Sequence, residues 1–165
     1  MSQLGLEERL LVIENRVQFL ENLREIESLH YRYINNLCFA QYDQLVELFA
    51  ENSVIDFPPE VKGKSAITKH YKESIATRHI GNEFDLLVHP IIKVIDIGNA
   101  EGYWLLYMKS ETFASGLQRV FKTRCIKENG IWKFSYIFSR ARLGWPSSLP
   151  SDGQLSEKWS GSSWG

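Results

Sequence analysis

Two side chains of a strand predicted over residues 84–95, His89 and Asp85, are the best candidates for proton transfer in this sequence. Imidazole titrates near neutral pH, as general acid–base catalysis at pH 7 requires. A carboxyl group can act beside it when burial raises its pKa. Alternate residues of a strand share a face, so the two side chains lie on one face about 13 Å apart. His89 is the predicted general acid or base and Asp85 its partner, although a single strand histidine is more often structural and Asp85 can equally face solvent.

Three further side chains have chemistry that fits such a site. Tyr33, in the first predicted helix, is suited to stabilising charge that develops on a substrate. Arg119 shares the strand parity of Phe121 and is suited to binding a carboxylate or enolate oxygen. Cys38 is a nucleophile only if a base lies nearby, and is otherwise a buried free thiol like Cys125. Each of the three also has an ordinary structural interpretation.

The sequence gives no sign of a metal or cofactor site. Its four histidines lack carboxylate or cysteine companions at ligand spacing. The two cysteines show neither metal-ligand spacing nor a disulfide pattern, and no glycine-rich phosphate loop is present. We therefore expect chemistry that needs no cofactor.

The apolar pattern predicts the elements that must position these residues. Three helices are predicted, at residues 6–37, 42–50 and 65–76. Ser65 is the predicted N-cap of the third helix. Five strands are predicted, at residues 54–57, 84–95, 101–111, 117–127 and 131–142. Asn129-Gly130 is a hairpin signal between the last two. Helices followed by a meander indicate an α+β fold with a cavity between the sheet and the helices.

The chain divides into an extension, a domain and a tail. Five apolar residues at alternating spacings of four and three form a coiled-coil-like seam: Leu6, Leu10, Ile13, Val17 and Leu20. We predict that residues 1–22 are an added helix that packs on a partner subunit or on its own domain. Residues 23–145 form that domain. Residues 146–165 are rich in Ser, Gly and Pro and predict a loop or linker. Trp159 and Trp164 either dock on a neighbouring surface or at the mouth of the predicted cavity, or belong to a disordered tail.

Composition excludes several classes of protein. A chain of 165 residues with 44% hydrophobic and 24% charged residues is typical of one soluble globular domain. A net charge of −1 argues against nucleic acid as a partner. No apolar run approaches about 18 residues, so no membrane span is expected. The acidic N-terminus lacks the basic start and apolar core of a signal peptide, which predicts a cytoplasmic location.

The order of these segments resembles the SnoaL-like branch of the nuclear transport factor 2 (cystatin-like) superfamily, which includes scytalone dehydratase. The resemblance covers about residues 23–145 and rests on residues 31–34, 44–50, 53–57, 89–94 and 130–134. It implies a cone-shaped α+β barrel, in which a curved and mainly antiparallel sheet wraps around a long helix and encloses one deep pocket. It also implies a homodimer or homotrimer.

The resemblance places three acid–base positions of the relatives at Cys38, Asp85 and Trp104, so all three have changed. The neutral thiol of Cys38 cannot supply the charge of the family aspartate. His79 takes the place of Asp85 as the counterpart of the family histidine if the alignment has a gap there.

The positions that line the pocket in relatives are better kept. They hold Tyr33, Phe57, Phe121, Ile137, Ser139 and Ala141, and we add Cys38, Trp104 and Arg119 to the predicted lining. Such a wall suits a flat or cyclic, apolar organic molecule. The same residues would also make an ordinary core.

Three functions are compatible with these features. The first is a cofactor-independent lyase, isomerase or hydratase that acts on a small cyclic apolar substrate by general acid–base catalysis. The second is a non-catalytic ligand-binding module, and the third is an oligomeric interaction subunit. A buried histidine–carboxylate contact in the pocket would favour the first, an apolar pocket without a polar pair the second, and a cone filled with side chains the third.

Overall fold

The computed structural model describes residues 5–57, 59–81, 83–110 and 115–146, with the backbone alone at 110, 115 and 143–146. The helices are α1 (Leu6–Cys38), α2 (Tyr42–Val46) and α3 (Lys64–Glu73), with one 3-10 turn at Ile75–Thr77. The strands are β1 (Phe49–Asp56), β2 (Val61–Lys62), β3 (Glu83–Val94), β4 (Asn99–Ser110), β5 (Ser115–Glu128) and β6 (Ile131–Pro146). The predicted tail, apart from Pro146, lies outside the described residues.

The six strands form one curved sheet in the order β2-β1-β6-β5-β4-β3. β1 runs parallel to β6, and the other neighbouring pairs are antiparallel. Asn129 and Gly130 both have positive φ, 52° and 79°, which is the geometry of a tight turn between β5 and β6. The predicted α+β fold, with a mainly antiparallel sheet around a long helix, is therefore confirmed.

The second half of α1 packs across the sheet. Ile26 and Leu29 are fully buried, and the ring of Tyr33 stacks on Phe121 with 5.5 Å between centroids. Phe134 of β6 closes the same cluster, 5.6 Å from the Tyr33 ring. One face of the second half of α1 therefore packs against the sheet and forms part of the domain core.

Asn22 marks the point where α1 meets the domain. Its side-chain oxygen accepts hydrogen bonds from Lys127 Nζ at 3.0 Å and from the Trp132 ring nitrogen at 3.3 Å. N-terminal to this anchor, each residue from 5 to 21 is exposed. The long helix therefore has a packed half and an unpacked half.

Two local predictions were wrong. The helix predicted to reach residue 50 ends at Val46, because Phe49 pairs with Phe134 in the sheet and both side chains are fully buried there. Sheet pairing and burial thus override local helix propensity. Ser65 is not an N-cap, since α3 begins at Lys64 and Gly63, at φ 85°, holds the cap position.

Among the helices described, none is both long enough and apolar enough to cross a membrane.

Candidate active site in the cavity beside the first helix

A cavity of about 480 Å³ lies between the sheet, α1 and α3. This volume is within the range of small-molecule pockets. The wall is largely aromatic and aliphatic, with Tyr33, Leu37, Phe57, Tyr71, Ile75, Leu106, Met108, Leu117 and Phe121 among its residues. Polar groups on the wall are His70, Ser74, Arg78, His79, Arg119, Ser139 and Arg140. The domain therefore encloses an open space rather than a core filled with side chains.

Two tyrosine hydroxyls meet at the wall. Tyr33 of α1 and Tyr71 of α3 are buried, and their oxygens lie 2.7 Å apart in a hydrogen bond. Burial raises the pKa of both phenols well above the ordinary value, so both stay protonated. One hydroxyl hydrogen is used between the two oxygens. The other can be donated to a ligand oxygen.

Arg119 supplies a positive charge on the same wall. Its Nε donates to Ser139 Oγ at 2.7 Å and its Nη2 donates to the Ser139 carbonyl at 3.2 Å. Burial lowers the pKa of Arg119, while the charge of Asp85 nearby works in the opposite direction. A guanidinium remains charged at neutral pH even so. Ser139 therefore holds Arg119 in place as a cation beside the cavity.

Asp85 of β3 is a buried acid with no hydrogen-bond partner. It is 7% exposed, and neither carboxyl oxygen finds a partner among the described residues. Burial raises the pKa of Asp85 to about 7; the charge of Glu83 adds to the rise and that of Arg119 opposes it. The carboxyl group is therefore poised to exchange a proton near neutral pH.

Asp85 adjoins the cavity without being one of its lining residues. Directly across the β3–β4 ladder is Met108, which lines the wall, and paired residues of this kind hold neighbouring side chains. On the other side, the thiol of Cys38 points at the Asp85 carbonyl oxygen, 3.9 Å away. Burial raises the pKa of Cys38, which makes it a poor nucleophile.

His79 is one of two histidines on the cavity wall, the other being His70. His79 is 7% exposed, and its Nδ1 has no hydrogen-bond partner among the described residues. Burial lowers the pKa of His79, so the ring is neutral at pH 7 and Nδ1 can accept or hold a proton. The Tyr42 hydroxyl donates to the His79 carbonyl and fixes this segment against α2.

His89 lies outside the cavity. It is exposed at φ 54°, in a bulge where the β3–β4 register shifts between Val88 and Ile91. The extra residue reverses the inward parity of the strand. Asp85 is buried before the bulge, whereas Ile92, of the opposite parity, is partly buried after it. The predicted shared face of Asp85 and His89 is therefore wrong.

Trp104 is buried in a cluster with His30 and Thr123 rather than on the cavity wall. Its ring stacks on His30 with centroids 4.8 Å apart, and its Nε1 has no partner among the described residues. His30 bonds to the Ile26 carbonyl at 2.7 Å and to Thr123 Oγ1 at 2.8 Å. Burial lowers the pKa of His30 to about 4, so this histidine is neutral and structural.

The remaining predicted residues divide between wall and core. Six lie on the wall: Tyr33, Phe57, Arg119, Phe121, Ser139 and Ala141. Ile137 is fully buried in the core, and Cys38 is half-buried beside Asp85. Tyr71 was not among the predicted residues, although its spacing of four from the buried Ile67 on α3 marks an inward-facing position.

The described residues contain no group of three or more His, Cys, Asp or Glu side chains placed to hold a metal ion.

Residues 18–137 match the family model for the SnoaL-like domain. The chain belongs to the SnoaL-like family. No curated protein matches the sequence significantly. The resemblance recognised in the sequence is therefore confirmed at the level of the family and fold.

Solved structures with the same fold agree with this assignment. Hexachlorocyclohexane dehydrochlorinase LinA-type3 from Novosphingobium barchaimii LL02 is 13% identical, with a TM-score of 0.71 over 79% of this chain and 93% of its own. A candidate scytalone dehydratase from Novosphingobium aromaticivorans is 19% identical, with a TM-score of 0.66 over 86% and 99%. A Nostoc punctiforme protein of unknown function with a cystatin-like fold is 18% identical, with a TM-score of 0.63 over 74% and 92%.

Proposed function

We propose that this SnoaL-like protein is a cofactor-independent lyase or isomerase that removes a proton from a small cyclic, largely apolar substrate, with Asp85 as the general base. The carboxyl of Asp85, which has no hydrogen-bond partner in the described part of the chain and whose pKa burial raises to about 7, carries the proposal. A base is most effective when its pKa is near the working pH. Two neighbouring proteins of this fold, a dehydrochlorinase and a candidate dehydratase, are named for eliminations.

The proposed reaction begins when the Asp85 carboxylate takes a proton from a substrate carbon. The C–H bonding electrons move toward an adjacent carbonyl, and the resulting enolate oxygen accepts the free hydroxyl hydrogen of the Tyr33–Tyr71 pair. Arg119 offsets the negative charge. In a lyase the leaving group then departs with its bonding electrons; in an isomerase the proton returns to a different carbon.

Access to Asp85 involves Met108. Met108 lines the cavity wall and is paired with Asp85 across β3 and β4, so the two side chains are neighbours on one face of the sheet. Because methionine is unbranched and adaptable, a change of its rotamer is an inexpensive way to bring substrate to the base. His79, with its unpartnered Nδ1, is placed on the wall to bind a polar group of the substrate.

A turnover assay tests the proposal with cyclic enones and with cyclic ketones that carry a hydroxyl or epoxide leaving group, because the proposed base removes a proton from the carbon next to a carbonyl. Asp85→Asn should lower turnover by at least about 100-fold, as loss of a general base does. Asp43→Asn is the matched control, since the Asp43 side chain is 88% exposed, pairs with Lys72 and is not on the cavity wall, and it should leave turnover unchanged. Equal turnover of wild type and Asp85→Asn would exclude Asp85 as the base.

A non-catalytic ligand-binding module is the second candidate, and Trp104 favours it. Tryptophan has no acid–base chemistry at neutral pH, and it occupies a buried cluster at one of the family's acid–base positions. In that case the same compounds would raise the melting temperature of wild type and Asp85→Asn alike, and neither would show turnover.

A further inference from the structure

The first half of α1 carries an apolar seam that nothing in the described part of the chain covers. The seam is formed by Leu6, Leu10, Ile13, Val17 and Leu20, which are 47–82% exposed. The helix is well formed at its start, where the backbone N–H of Gly5 donates to Glu8 Oε2 at 2.9 Å. Sixteen exposed helical residues extend about 24 Å from the domain at 1.5 Å per residue.

The apolar seam faces away from the domain. The residues of α1 that are buried against the domain include Asn22, Ile26, Leu29 and Tyr33. At 3.6 residues per turn, the centre of the apolar seam lies roughly 180° around the helix from these residues. The protein's own sheet therefore cannot cover the apolar seam, which excludes one of the two alternatives left open by the sequence.

The apolar seam also ends where the domain begins. The next positions of the repeat after Leu20 are Arg24 and Glu27, which form an ion pair with each other at 3.4 Å. The Arg24 side chain is 79% exposed. The apolar repeat is thus confined to the segment that projects, as expected for a surface that meets something outside the domain.

Charges beside the apolar seam specify what it meets. In heptad terms, Leu10 and Val17 are a positions and Leu6, Ile13 and Leu20 are d positions. The g positions next to them hold Arg9 and Arg16, and the e positions hold Glu7, Glu14 and Glu21. In a parallel pair of identical helices each g residue faces the e residue five places on in its partner.

Parallel pairing therefore places Arg9 against Glu14 of the second copy and Arg16 against Glu21. Antiparallel pairing would instead place arginine against arginine and glutamate against glutamate, which is unfavourable. We propose that residues 6–20 of two copies of this chain associate as a parallel coiled coil through the apolar seam. Each domain sits on the opposite side of its own helix, so the two domains point outward.

Disulfide cross-linking of the full-length chain tests both the contact and its direction. In a parallel pair residue 6 meets residue 6 of the second copy, whereas Asn15, at an f position, points away. Leu6→Cys should form the 6–6 disulfide about tenfold or more faster than Asn15→Cys forms 15–15, because a disulfide requires close Cα atoms. Mass spectrometry of the linked peptides separates these bonds from any made by the native cysteines.

Charge exchange provides the second measurement. In the Leu6→Cys protein, Arg9→Glu with Arg16→Glu should abolish cross-linking, and so should Glu14→Arg with Glu21→Arg. Mixing the two variants should restore it. All four positions are exposed, so the near-UV circular dichroism of the domain, which reports its side-chain packing, should not change. The proposal is overturned by equal cross-linking at residues 6 and 15, or by cross-linking that does not respond to the charge changes. It is also overturned if cross-linking appears only when residues 147–165 are deleted, because that segment, and not a second copy, would then cover the apolar seam.

Discussion

At the scale of the residue, the proposed chemistry depends on a carboxyl group held away from water. Asp85 has no hydrogen-bond partner among the described residues, so its ionised form is disfavoured by burial. The charge of Arg119 opposes this rise in the pKa of Asp85, although the two side chains do not form an ion pair among the described residues. Such a group is costly to a fold and is characteristic of functional sites.

That cost gives a prediction for stability against pH. The pKa of Asp85 is raised from 3.8 to about 7, so its folded form keeps a proton that the unfolded chain releases. Its favourable contribution is complete below pH 3.8 and is lost as the pH rises through 7. Asp85→Asn has no such contribution to lose. Between pH 3.5 and 8, the free energy of unfolding of the wild type should therefore fall by roughly 4 kcal/mol relative to that of Asp85→Asn.

Urea unfolding across this pH range measures the difference. His30 acts in the opposite sense, because its pKa is lowered to about 4 and its contribution is lost as the pH falls from 6.5. The comparison with Asp85→Asn removes this background, which both proteins share. Parallel curves for Asp85→Asn and wild type would mean that Asp85 has an ordinary pKa.

At the scale of the element, β4 comes unusually close to α1. A Cβ added at Gly102 would lie 2.5 Å from Thr123 Oγ1 and 2.9 Å from His30 Nε2, two atoms that are hydrogen-bonded and buried. Gly102→Ala should therefore cost about 1–3 kcal/mol in the free energy of unfolding, as overpacking does.

Gly98→Ala is the matched control for this strand. Its added Cβ would meet Asp96 at 3.9 Å, which is ordinary contact, so the change should stay within about 0.5 kcal/mol. Chemical denaturation compares the two variants. Equal losses would show that the close approach at Gly102 has no energetic consequence.

The sequence predicted most elements because their patterns are local. Apolar periodicity located α1, and Asn129-Gly130 located the turn between β5 and β6. The errors arose where tertiary contacts decide. The pairing of Phe49 with Phe134 converted the end of a predicted helix into β1, and the bulge at His89 reversed the face of β3. The first event leaves no signal within its own segment, and the second leaves only Pro90, which is compatible with a bulge but does not reveal which face the strand presents.

The site was predicted in part for the same reason. Tyr33, Phe121 and Ser139 reach the cavity wall, as the family resemblance implied, and so does Arg119, which was predicted from the strand parity that it shares with Phe121. His79 was considered only as an alternative to Asp85, although the structure gives the two residues separate positions. Whether His79 faces the cavity depends on the backbone after α3, where no regular period applies.

At the scale of the whole molecule, α1 joins two parts with different tasks. Its second half packs against the sheet and contributes Tyr33 to the cavity wall, whereas its first half projects from the domain. The hydrogen bonds at Asn22 fix the boundary between them. Loss of the proposed coiled coil should therefore leave the cavity intact, which allows the two proposals to fail separately.

The most direct test of the account is a carbon-13 NMR titration of the aspartate side chains, with the Asp85→Asn spectrum used to assign the Asp85 signal. A midpoint near pH 7 is predicted, because burial raises the pKa of this carboxyl to about 7. A midpoint near 4, as for a solvated aspartate, would contradict the account, since the cavity would then have no buried carboxyl poised to act as a base.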